Sequence, residues 1–121
     1  MLHASHSQAY QELLTLLHEL QNSNALKETT GDINSCQKEF QKLQKFFQEE
    51  ILSLTSEELD EAIASRWQSL QTEMQREFRL LSTDILFLES SRQPGTREAR
   101  LKSVGDRLTK LISFCQAIAF L

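Results

Sequence analysis

The side chains best suited to chemistry in this 121-residue chain are three histidines, two cysteines and seventeen carboxylates, and their spacing decides whether they can act together. His3 and His6 stand three residues apart, a spacing that brings two imidazoles to one side of a helix, but no third metal ligand accompanies them. His18-Glu19-Leu20 begins like the HExxH zinc motif, yet Asn22 occupies the place of the second histidine. The Glu-x-x-His pattern of di-iron bundles, a phosphate-binding glycine loop and a CxxC pair are all missing. No catalytic residue, metal ligand or cofactor is therefore expected.

Cys36 and Cys115 lie far apart in the chain, each on the apolar stripe of its own segment. A buried free thiol acts as a small hydrophobe, and that is the reading adopted for both. A disulfide would need their Cα atoms within ~7 Å, which the sequence does not determine. Glu57, Glu58, Asp60 and Glu61 form an acidic run at the expected start of a helix, where the helix dipole favours negative charge without any catalytic role. Arg66, Arg76 and Arg79 share that helix with four acids and read as solvated surface. Asp84 is different. It falls within the apolar run Leu80–Leu88, so burial requires a cation or several donors, and Arg100 and Arg107 are the candidates if the next helix folds back.

The elements that must position these groups are helices. Three glycines and one proline leave little material for hairpin turns, and a chain of this length fits one domain covering residues 1–121. A first helix is expected over Ala4–Gln21, on the stripe Tyr10, Leu13, Leu14, Leu17 and Leu20. A polar connection to about Gly31 follows it. A second helix starts at Asp32 or Ser35 as N-cap and ends near Leu52–Leu54, carrying Cys36, Phe40, Leu43 and Phe47 inward. Thr55–Arg92 reads as one long third helix with a Thr55/Glu58 capping box, on the order of 55 Å long. Its stripe is Leu59, Ile63, Trp67, Leu70, Met74, Phe78, Leu81, Ile85 and Leu88.

Leu80 and Phe87 point about 110° away from that stripe, so the helix is apolar on two sides. Either it contacts two neighbours within the bundle, or Leu80 and Phe87 form a homodimer seam. Gln93-Pro94-Gly95-Thr96 is a turn in which proline ends one helix, glycine permits positive φ and Thr96 caps the next. A connection this short makes the third and fourth helices an antiparallel hairpin. Gly105 inside the fourth helix points to close approach of a neighbour, and the apolar ending AIAFL to a docked terminus. The expected fold is all-α: a four-helix bundle with a long third helix.

Charge is uneven along the chain. Residues 1–65 carry a balance of −7 and residues 90–121 a balance of +4, within an overall −4. Antiparallel packing of an acidic half beside a basic last helix accounts for this, as does a basic face that meets an acidic partner. No apolar run approaches the ~20 residues of a membrane span, and the N-terminus lacks the pattern of a signal peptide, so a cytoplasmic protein is expected.

The segment Glu73–Cys115 resembles the PatD family of cyanobacteria, the heterocyst-frequency control proteins. The likeness lies in the E-M-x-x-x-x-R-L-L-x-x-D run at Glu73–Asp84, the I-L-F-L after it, the S-R-Q connection and the D-R-L-x-x-L-I-x-x-C close at Asp106–Cys115. A looser likeness covers Leu43–Ile51. The resemblance implies a non-enzymatic regulator of cell division and heterocyst differentiation that binds the tubulin-like protein FtsZ and modulates its polymer assembly. No family binding motif carries over residue by residue. From charge alone, Arg92, Arg97, Arg100, Lys102, Arg107 and Lys110 form the expected contact patch for an acidic partner. A helical adaptor for another protein and a nucleic-acid-binding regulator are the alternatives. The negative net charge and the want of a short recognition helix count against nucleic acid.

Overall fold

The computed structural model describes residues 4–22, 33–57 and 59–121, with side chains assigned from residue 6 in the first of these stretches and from residue 37 in the second. The described residues form an all-α bundle of four helices: α1 (Ala4–Gln21), α2 (Ile33–Phe46), α3 (Glu61–Ser90) and α4 (Pro94–Ala119). The expected bounds of the first helix agree with α1. His3, the connection to Gly31, the Asp32 cap and the side chain of Cys36 lie outside the described residues. Ser35 falls in the first turn of α2, which is already helical at Ile33.

Helix α2 does not stop at Phe46 but widens into a π-helical turn, Phe47–Ile51, closed by the Leu52 N–H donating to the Phe47 carbonyl five residues back at 3.0 Å. This change of pitch keeps both Phe47 and Ile51 buried and turns the Ile51 carbonyl toward α3. Beyond it, the expected helix from Thr55 does not form. The Thr55 carbonyl accepts from His6 Nε2 at 2.8 Å, and the Ser56 carbonyl accepts from the Leu59 N–H at 3.1 Å, so residues 55–57 and 59–60 are not helical, Glu58 of the expected box lying outside the described residues. A Thr55 capping box is thereby replaced by Asp60 as the N-cap residue, with ψ of 146° and its carbonyl accepting from the Ala64 N–H at 2.7 Å. Glu61, not the longer acidic run, is the acid of the first turn. Helix α3 is thus 30 residues, about 45 Å.

The strict alternation of four and three along Trp67, Gln71, Met74, Phe78, Leu81, Ile85 and Leu88 is the buried face of α3. Gln71 takes the place that the sequence assigns to Leu70, which is only half-buried. The short connection Ser91–Gln93 returns the chain as α4, with Pro94 at its first turn and Gln93, not Thr96, as the N-cap residue. No described glycine has positive φ, so Gly95 is simply helical. Val104, Leu108, Leu111, Cys115 and Ile118 of α4 join Tyr10, Leu13, Leu17 and Leu20 of α1 in the core. At the end of the chain Ile118 is buried, whereas Phe120 projects into solvent.

Packing is uneven around the bundle. Helices α3 and α4 pack most closely, α4 lies against α1, and α1 against α2. Helices α2 and α3 meet mainly through rings, with Phe47 and Phe78 stacked at 4.4 Å and Phe40 and Phe78 at 5.7 Å. Gly105 has no such neighbour: a Cβ there would meet nothing within 4 Å, so close approach is not why the residue is glycine.

Candidate interaction surface

Among the described residues, two buried polar clusters and one exposed end gather chemistry-bearing side chains. The first cluster is neutral and ties α1 to α3. Trp67 Nε1 donates to the Tyr10 hydroxyl at 2.8 Å, and that hydroxyl donates to Gln71 Oε1. Gln71 Nε2 then donates to the Ile51 carbonyl at 3.0 Å, and the His6 ring stands edge-on to Trp67 at 5.6 Å. Burial raises the Tyr10 pKa well above its ordinary value, so the phenol stays protonated as a donor. Nearby Cys115 is buried as expected, and desolvation pushes its thiol up to about 12, which leaves it inert as a nucleophile at neutral pH.

The second cluster is ionic and ties α3 to α4. Glu77 and Asp84 are seven residues apart, hence on one edge of α3, and both are buried. Arg100, Ser103, Arg107 and Lys110 recur at three- and four-residue steps along the facing edge of α4. Arg107 spans both acids, with Nη1 donating to Glu77 at 3.1 Å and Nε to Asp84 at 3.4 Å. Ser103 donates to Asp84 at 2.8 Å, Arg100 Nη1 lies 3.6 Å from Asp84, and Lys110 Nζ lies 3.8 Å from Glu77. Burial works against the charge on Arg107, but the hydrogen bonds and fields of Glu77 and Asp84 prevail and raise its pKa. Both cations expected for Asp84 are therefore its partners. The sequence reading missed Glu77, although its seven-residue spacing from Asp84 places it on the same edge.

The exposed end lies where α3 passes into α4. Phe87 is 47% exposed, and the Arg100 guanidinium sits 4.5 Å from the centre of its ring. Ser90, Ser91, Arg92 and Thr96 surround this pair in a shallow depression of about 270 Å³. The six basic residues expected to form one patch are thus divided. Arg107 and Lys110 serve the ionic cluster, Arg100 joins that cluster to the Phe87 surface, Arg92 is exposed beside it, and Arg97 is half-buried. Lys102 is exposed on a different side of α4, two residues and about 200° from Arg100. Leu80 is half-buried, and Phe87 of α3 lies beneath Arg100 of α4.

Among the described residues no group of three or more His, Cys, Asp or Glu side chains is placed to hold a metal ion, and no helix is long and apolar enough to cross a membrane. Comparison of the chain with known protein families, with characterised proteins and with solved structures gives no significant match.

Proposed function

We propose that this chain is a non-enzymatic regulator that binds FtsZ and modulates its polymer assembly, acting in cell division and heterocyst differentiation in the cytoplasm. The family comes from the resemblance of Glu73–Cys115 to the PatD proteins. The observation that supports a contact surface is the exposed Phe87–Arg100 pair with Arg92 beside it, held on a hairpin whose buried acids are already neutralised. An arginine over an aromatic ring offers a partner both apolar area and positive charge, the two qualities enriched where protein interfaces concentrate their energy.

Co-sedimentation with FtsZ from the same organism, with and without GTP, tests the reading. Enrichment in the GTP-dependent pellet that weakens as salt rises is the expected result. Arg92→Glu reduces that enrichment and flattens its salt dependence, whereas Lys102→Glu, on the other side of α4, leaves both unchanged. Arg100→Glu is a poor probe, because it sets a new carboxylate beside Asp84. Absence of pelleting under both conditions overturns the FtsZ reading and leaves an adaptor for another protein.

A further inference from the structure

The seam between α2 and α3 has the form of a self-complementary surface, and we propose that two copies of this chain associate through it about a two-fold axis. Its floor is apolar: Phe40, Phe47, Phe78 and Ile85 are buried at the bottom of an open groove. One wall is Gln37, Gln41, Gln44 and Gln48, spaced four, three and four. The other is Gln75, Arg79, Ser82, Leu86 and Glu89, spaced four, three, four and three. Such spacing keeps each row on one line of its helix, so both face the same direction along about 20 Å. Gln44 and Ser82 line both halves, which makes the groove continuous.

Three features select a second copy as the occupant. The first is charge. Each chain carries −4, so two copies repel except where they meet over neutral surface, and among the described residues the groove is neutral, with Arg79 as its one cation and Glu89 as its one anion. The second is register. An antiparallel pairing of α3 with its copy, centred at position 84, sets Arg79 against Glu89 of the other copy twice over, satisfying both charges at once. The third is shape. The same register sets Leu86, 64% exposed, against Ser82 of the other copy, whose small side chain stands where the two halves of the groove join. The half of the groove beside Leu86 has a volume of about 360 Å³, room for a protruding leucine. The glutamine rows add no cost to self-association, because each amide both donates and accepts.

A contact about 20 Å long and two helices wide lies at the low end of specific interfaces, so the dimer dissociates on dilution. This association is independent of the FtsZ reading. It uses another side of α3 from Phe87 and leaves both hairpin ends free.

Sedimentation of the full chain over a wide concentration range decides the matter. The expected mass rises from 14.0 kDa toward twice that value. Leu86→Glu abolishes the rise, with helicity unchanged and with melting unchanged at concentrations where the chain is monomeric. Arg79→Glu and Glu89→Arg each weaken association by about tenfold or more, and the double exchange restores it. A chain that stays monomeric at all concentrations overturns the proposal, including one whose groove instead binds a helix from another protein. So does a dimer insensitive to Leu86→Glu but lost on Phe87→Glu, which places the seam on the hairpin side.

Discussion

The two buried polar clusters solve the same problem in opposite ways. Tyr10, Trp67 and Gln71 join α1 to α3 without a formal charge, through a chain of neutral donors that ends on the Ile51 carbonyl. Glu77, Asp84 and Arg107 join α3 to α4 with full charges, at an edge where Arg107 keeps 27% of its side chain in solvent. Position explains the choice. The neutral chain lies where the bundle is closed, and a carboxylate there would bear a large desolvation cost. The ionic cluster lies where long basic side chains cross to the acids while keeping part of their stems and heads hydrated. The neutral cluster fixes one orientation of helices; the ionic one also passes charge outward, through Arg100, to the exposed Phe87 surface.

Removing Arg107 breaks the ionic side of this contrast and has the largest expected effect. Arg107→Met keeps the apolar stem but leaves Glu77 and Asp84 facing each other's field, with Lys110 at 3.8 Å, Arg100 at 3.6 Å and the Ser103 hydroxyl to compensate. Breaking a buried pair by deleting one partner costs about 3 kcal/mol or more. Urea denaturation monitored by circular dichroism is expected to show that loss with an unchanged slope. A cost below about 1 kcal/mol would mean that Arg100 and Lys110 suffice and that Arg107 is a spectator.

The neutral side breaks less severely. Tyr10→Phe preserves the ring and deletes the hydroxyl, which leaves the Trp67 N–H and Gln71 Oε1 without their partner. The expected cost is about 2 kcal/mol, the desolvation of buried polar groups left unmade. The contrast sharpens in the double variant Tyr10→Phe with Gln71→Leu. Taking both ends of a neutral bond away is expected to cost less than the sum of the two single changes. An additive result in a double-mutant cycle would show that the hydroxyl and the amide do not act as one network.

The two clusters also differ in how far they can be read from the sequence. Asp84 advertises itself, as a carboxylate inside an apolar run with two arginines in reach of a short return. Glu77 does not, because its neighbours are mostly polar and only its spacing from Asp84 gives it away. Gln71 is hidden by Leu70: hydrophobicity favours the leucine, while the strict four-three spacing that runs through Trp67, Met74 and Phe78 favours the glutamine. The start of α3 is illegible for a deeper reason. Thr55 and Glu58 have the residue types of a capping box, but the Thr55 carbonyl is engaged by His6, forty-nine residues earlier, and no local pattern reports a contact at that range. Helix α1, by contrast, follows from periodicity: Leu13, Leu17 and Leu20 face an apolar neighbourhood, so local pattern and tertiary environment agree.

Gly105 supplies the smallest effect and a control on both clusters. A glycine inside a helix costs conformational entropy on folding, and the sequence invites the explanation that a neighbouring helix needs the space. The structure removes that explanation, since a Cβ at position 105 meets nothing within 4 Å. Gly105→Ala is therefore expected to stabilise the chain by up to about 1 kcal/mol, read as a higher denaturation midpoint. Because the added methyl group touches neither cluster, the gain should be the same in the Arg107→Met and Tyr10→Phe backgrounds. A gain that shrinks only with Arg107→Met would mean that α4 is held straight by its ion pairs rather than by its own backbone. The contrast between the clusters would then extend from side chains to the stiffness of the helix that carries the exposed surface.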